Sequence, residues 1–161
     1  MFIKKHPNID VEFNIYGGKF YEYVEKRIKK YSPNILRYIN LTKRYPQEEL
    51  YYYLKNDNIC LLLSSPVRPS IPVKLFDYLF LDKTIINVVS DNSELDQILK
   101  DFDSATTCNT YVEICDFLTQ EYNHFLNKKE TSYNFAKKII FDRKYQTDLF
   151  VENIKKELYG C

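Results

Sequence analysis

The sequence predicts an α/β domain of three layers, in which a mostly parallel sheet lies between helices and a long helical segment closes the C-terminus. Three observations predict it. Apolar runs of strand length alternate with stretches whose apolar residues recur at three and four, and the connections between them are short. Two of the runs, ICLLLS and TIINVV, are apolar on both faces, as strands covered from above and below are. Right-handed crossovers place successive helices on the faces of such a sheet, which makes it parallel.

The elements follow in order. Residues 11–16 (VEFNIY) read as a strand ended by Gly17 and Gly18, and 20–31 as a helix carrying Phe20, Tyr23 and Val24 at helical spacing. Residues 35–41 (ILRYINL) are a second strand. Pro46 then starts a helix through Tyr53 or Leu54, with Glu48 and Glu49 in the first turn where the helix dipole favours acids. Residues 59–64 are the third strand, 71–81 a helix, and 84–89 (TIINVV) a fourth strand rich in β-branched side chains. Asn92 or Ser93 can cap a helix through Leu99. A weaker strand at 104–108 precedes helices at 111–122 and 133–158, the latter closed by Gly160. The pattern is Rossmann-like. Ligands of such sheets lie beyond the carboxyl ends of the strands, so the segments after Tyr16, Leu41, Ser64, Val89 and Cys108 are where a site is expected.

Length and charge narrow the function classes. A chain of 161 residues is expected to be one domain, able to bury roughly two thirds of the surface its unfolded form exposes. With 23 Lys plus Arg against 22 Asp plus Glu, the electrostatic footprint of a nucleic-acid binder is missing. The basic run KRIKK at 26–30 reads as a solvated helix face. Cys60, Cys108, Cys115 and Cys161 show no metal-ligand or redox spacing and read as reduced thiols; Cys60 is expected in the core and Cys108 in a strand rather than as a nucleophile. No apolar run is long enough to span a membrane, and the start lacks the apolar segment of a signal peptide, so a cytoplasmic protein is expected. Fifteen tyrosines and 11 phenylalanines beside many Lys, Asn and Ile suggest an AT-rich bacterial genome, with most of the rings expected in the core or on half-buried surface.

The stretch RPSIPVKLFDYL (68–79) is the most informative. Ser70 can cap the helix, proline is tolerated in a first turn, and the free amides with the positive dipole end make an anion site beyond the third strand. Asp77 lies about 10 Å further along the axis at 1.5 Å per residue, the span of a diphosphate followed by a ribose. Pro72, Val73, Leu75, Phe76, Leu79 and Phe80 are expected to pack on the sheet, with Lys74, Asp77, Tyr78 and Leu81 on the other side. From spacing alone, an ordinary proline-punctuated loop and a capped helix with a surface Lys74–Asp77 pair is the favoured reading of the same residues.

The run from SSPVRPSIPVKLFDYLFLDKTIINVV to ELDQIL resembles the C-terminal, donor-binding half of GT-B glycosyltransferases, in particular bacterial enzymes of the glycosyl transferase group 1 type. Ser70, Pro72, Lys74, Leu75, Phe76, Asp77, Tyr78 and Leu79 match the pattern s-x-P-x-K-l-f-E-Y-l, and KTIINVV matches the strand that follows, with Thr84 where proline is usual. NIYGG and the run INLTKRYPQEELYYYLKNDNICLLLSS resemble the preceding elements, so the likeness covers about residues 11–99.

The resemblance implies a nucleotide diphosphate sugar as donor substrate and no cofactor or metal. Asp77 stands at the second glutamate of the family's pair, which holds the donor ribose; Pro69 occupies the place of the first. Ser70, Ile71, Pro72 and Lys74 would line the diphosphate, and Arg68 would substitute for basic groups that the family carries upstream. Thr42, Lys43, Arg44 and Tyr45 match the loop beside the base, and Gly17 and Gly18 would let the backbone approach the ligand. No catalytic residue is assigned.

It also implies a missing partner, the N-terminal acceptor domain across the cleft. The chain is therefore expected to be the C-terminal half of a two-domain enzyme of polysaccharide synthesis, truncated or split, inactive alone and cytoplasmic or membrane-peripheral when complete. The alternative is a non-catalytic Rossmann-like nucleotide-binding or interaction module. Asp101-Phe102-Asp103 reads as a solvated turn rather than a metal-binding D-x-D, and His6 and His124 as surface residues.

Overall fold

The computed structural model describes residues 2–17, 21–31, 33–127 and 136–159. The protein is α/β, with parallel strands alternating with helices. The chain divides into two compact units, Met1–Asp57 and Asn58–Cys161.

The first unit contains α1 (Phe2–Lys5), β1 (Phe13–Ile15), α2 (Tyr21–Tyr31), β2 (Ile39–Leu41) and α3 (Gln47–Asn56). β1 and β2 pair in parallel, Phe13 beside Ile39 and Ile15 beside Leu41. Both strands are shorter than the apolar pattern predicts. Residues 33–38 form a 3-10 turn where a strand is expected from residue 35, because Pro33 sets a helical φ at the head of the segment. α3 begins at the predicted place, with Pro46 at its N-cap. The KRIKK run lies on α2, where Lys26, Arg27, Lys29 and Lys30 are exposed and Lys29 pairs with Glu25 at 2.6 Å.

The second unit contains β3 (Ile59–Leu63), α4 (Lys74–Phe80), β4 (Thr84–Val88), α5 (Glu94–Lys100), β5 (Ala105–Cys108), α6 (Tyr111–Leu126), a 3-10 segment (Ala136–Phe141) and α7 (Arg143–Tyr159). Its three strands form a parallel sheet in sequence order, β3-β4-β5, with Leu62 beside Asn87 and Ile85 beside Ala105. The core lies on one face: Leu62 and Ile85 of the sheet, Leu75 and Leu79 of α4, Leu95 and Leu99 of α5, and Phe102. β4 is buried along Thr84–Asn87, as a run apolar on both faces requires. β3 differs from that expectation. Only Cys60 and Leu62 are buried, while Leu61 and Leu63 on the opposite face are 47% and 64% exposed.

α4 starts three residues later than the periodicity suggests. Pro72 disfavours a helical conformation at Ile71, the residue before it. The chain instead opens with two i to i+3 bonds, Leu75 N to Pro72 O at 2.9 Å and Phe76 N to Val73 O at 3.1 Å. Val73, not Ser70, is at the N-cap, and no side chain caps the helix. The buried stripe is correspondingly narrower, Leu75 and Leu79 flanked by Ile71 and Tyr78. Tyr78 therefore belongs to the core side, and Val73, Phe76 and Phe80, expected on the sheet, are exposed because each is turned away from the line through Leu75 and Leu79.

At the C-terminus the predicted single helix is broken at Asp142, whose carboxylate accepts a hydrogen bond from Tyr145 N at 2.8 Å in the manner of an N-cap. Residue 133, the expected start of that helix, and Gly160, its expected close, lie outside the described residues. Among those described, no helix is long and apolar enough to cross a membrane. Because Leu79 is almost fully buried, replacing it with alanine should lower unfolding free energy by about 2–5 kcal/mol. A urea melt with an unchanged midpoint would show that α4 does not anchor this core.

Candidate functional site

In the first unit, the strand ends bring Gly17, Thr42 and Arg44 together. Thr42 N donates to Ile15 O at 3.1 Å and Gly17 N to Thr42 O at 3.3 Å, extending the β1–β2 ladder by one step. Gly17 has φ +71°, and a Cβ there would stand 3.1 Å from Arg44 Cα. Glycine is needed on both counts. Gly18, its predicted companion, lies outside the described residues. Lys43 and Arg44 are exposed, whereas Tyr45 turns inward to a cluster of three tyrosines. Its ring centroid is 4.7 Å from that of Tyr53 and 6.4 Å from that of Tyr16, and Tyr16 stacks on Tyr53 at 5.8 Å. The Tyr45 hydroxyl beside it pushes the Tyr53 pKa up, with burial adding to the effect. Asp57 anchors the cluster by accepting from Tyr16 Oη and Asn14 Nδ2, each at 3.0 Å. Sequence reasoning missed Tyr16, Tyr53 and Asp57, because their meeting depends on how β1 and α3 pack rather than on any local spacing.

In the second unit, the carboxyl ends of β4 and β5 are tied to each other. Asp96 accepts from the Ser90 hydroxyl, from Asn92 N at 3.1 Å and from Thr107 Oγ1 at 3.3 Å. Ser90 N donates to Asn109 Oδ1 at 2.8 Å, and Asn109 N to Glu113 Oε2 at 2.6 Å. Asn87, fully buried, donates to Val89 O at 3.2 Å, and its Oδ1 has no partner among the described residues. Ser93 holds the N-cap position of α5 without a capping bond of its own; Asp91 accepts from its N at 3.0 Å and its hydroxyl at 2.5 Å.

The loop after β3 is open by comparison. Ser64 continues the ladder with Val88 O at 3.1 Å and its hydroxyl donates to Val89 O, after which Arg68, Pro69 and Ser70 are exposed. Ile71 packs against the core and Pro72 is half-buried. Lys74 reaches back to β3, donating from Nζ to Leu61 O at 3.2 Å, and the burial of its amine pushes its pKa down. Asp77 is half-buried and, with α4 starting at Lys74, lies in the first turn of the helix rather than the second. The predicted diphosphate-then-ribose span along the helix axis is therefore shorter than sequence spacing suggests.

A cavity of about 590 Å³ lies elsewhere in this unit, between β5 and α6, lined by Asp103, Glu113, Asp116, Glu121, His124 and Cys108 among others. Cys108 lies in β5, and burial, with Glu113 nearby, pushes its thiol pKa up, which disfavours the thiolate. Of the D-x-D, Asp101 pairs with Lys137 at 3.4 Å and Phe102 is buried in the core. Comparison of the chain with protein-family models, curated proteins and solved structures finds no match.

Gly17→Ala should cost on the order of 1–2 kcal/mol from the left-handed backbone alone, visible as a lower urea midpoint; unchanged stability would mean that this turn relaxes freely. Iodoacetamide at pH 8 should alkylate Cys108 at least about tenfold more slowly in the folded than in the unfolded chain, since only thiolate reacts. Equal rates, read by peptide mass spectrometry, would contradict the protonated, buried thiol.

Proposed function

We propose that this chain binds the nucleoside diphosphate of a sugar donor, as the donor half of a GT-B-type glycosyltransferase of bacterial polysaccharide synthesis. The observation that carries the reading is the exposed, three-proline loop at the carboxyl end of β3, which leads directly into the helix bearing Asp77. Carboxyl-end loops are where parallel α/β sheets hold ligands, and this one remains accessible while its neighbours are occupied in bonding one another.

The roles follow from chemistry and from the family resemblance. Arg68, exposed and without an ion-pair partner among the described residues, offers a charge-assisted donor to a phosphate. The Asp77 carboxylate accepts from ribose hydroxyls. Ser70 and Ile71 contribute backbone amides. The complete enzyme would move the sugar to a glycan or lipid-linked acceptor held by an N-terminal domain, and this chain alone would not turn over.

A second reading, a non-catalytic nucleotide-binding or interaction module, draws on two observations: Pro69 stands where the family places its first glutamate, and Asp77 lies in the first turn, where its own charge satisfies the positive end of α4. Calorimetric titration of the chain with UDP-, GDP- and ADP-sugars separates the readings. One donor class should bind, and Asp77→Ala should weaken it by about tenfold or more, the equivalent of a lost hydrogen bond to a charged group. Absence of heat with all three, or an affinity indifferent to Asp77→Ala, would remove the donor-site assignment.

A further inference from the structure

The C-terminal helix α7 is uncovered. Every described side chain from Asp142 through Leu158 is exposed, Ile154 at 41% and Leu158 at 69% among them. A lone helix of 17 residues is marginal in water, and helices in proteins hold chiefly by packing an apolar face. α7 carries such a face. Thr147, Val151, Ile154 and Leu158 recur at four, three and four, the spacing of a coiled-coil seam, with Phe150 on one flank. Asp148 and Lys155 lie on the other flank, and Lys144 stands at the N-terminal end of the seam itself. Asp148 and Lys155 are two turns apart, too far to pair within one helix, and neither has an ion-pair partner among the described residues.

We infer that α7 pairs antiparallel with the α7 of a second copy of this chain. A two-fold axis between Val151 and Ile154 packs Val151 of one copy beside Ile154 of the other, and Thr147 beside Leu158. The same axis sets Asp148 of each copy across from Lys155 of the other, so the flank is complementary to itself and both unpaired charges gain partners. The antiparallel arrangement also opposes the two helix dipoles. A parallel pair would align them and leave Lys155 facing Phe150. The seam is short, so the interface belongs to the small, transient class below about 1,200 Å², with a dissociation constant in the micromolar range or above.

Sedimentation velocity of the full chain, from low micromolar to submillimolar concentration, tests this. A monomer–dimer equilibrium is expected, abolished by Ile154→Glu. Asp148→Lys and Lys155→Asp should each weaken the dimer by about tenfold, from two rim ion pairs turned repulsive. The double variant, which restores complementarity with the signs exchanged, should return to within about threefold of the parent. These positions are exposed, and far-UV circular dichroism verifies that each variant is folded. A monomer at every concentration, a dimer indifferent to Ile154→Glu, or a double variant no better than the weaker single one would overturn the antiparallel pairing.

Discussion

The second unit depends on the burial of one face of a three-stranded parallel sheet. Leu75 and Leu79 of α4 and Leu95 and Leu99 of α5 lie with Leu62, Ile85 and Phe102 in one cluster, all at most 2% exposed. Each such side chain contributes about 1.5–3 kcal/mol when fully buried, against about 0.5–1.5 kcal/mol net for a hydrogen bond. The apolar cluster, rather than the polar ties at the strand ends, drives assembly. Those ties specify it: Asp96 can receive Ser90, Asn92 and Thr107 only when β4, α5 and β5 are in register. The same surplus carries the cost of Asn87, a buried amide with one atom unpartnered among the described residues, which is on the order of 1–3 kcal/mol.

Periodicity made most of the fold legible. β4 is buried over four consecutive residues, and TIINVV says so directly because β-branched residues with no polar alternation fit only a strand covered on both faces. ICLLLS carries the same signal and is read too strongly, since Leu61 and Leu63 are exposed while Cys60 and Leu62 are not. An apolar side chain permits burial without enforcing it. The start of α4 departs from the periodicity for a different reason. Capping potential at Ser70 is a local preference worth about 1 kcal/mol, whereas Pro72 restricts the backbone of Ile71 sterically. The break at Asp142 is a third case, in which a capping carboxylate inside an apparently continuous helical pattern divides it.

The candidate site was legible in its positions and not in its contacts. That Gly17, Thr42 and Arg44 meet follows from pairing β1 with β2, which the alternation of elements implied. That Tyr45 would spend its ring on Tyr53 and Tyr16 was not readable, because it depends on the placing of α3, and fifteen tyrosines offer too many partners. Lys74 is similar. Its sequence position suggests a cation facing a ligand, yet its amine is given to the Leu61 carbonyl, leaving Arg68 as the cation of that loop that faces solvent.

Charge also separates the cavity between β5 and α6 from the loop after β3 as places for the proposed anionic ligand. Asp103, Glu113, Asp116 and Glu121 line the cavity between β5 and α6. At a separation of about 8 Å and the dielectric of water, each carboxylate repels a phosphate charge by about 0.5 kcal/mol, and several times more where solvent is excluded. Four of them acting on a diphosphate outweigh what a single hydrogen bond returns. The loop after β3 has the opposite balance: Arg68 is exposed and Asp77 is the acid of the first turn of α4, where part of its effect on an approaching anion is offset by the helix end it faces. For the proposed doubly charged phosphate chain, electrostatics therefore favours the loop after β3 over that cavity.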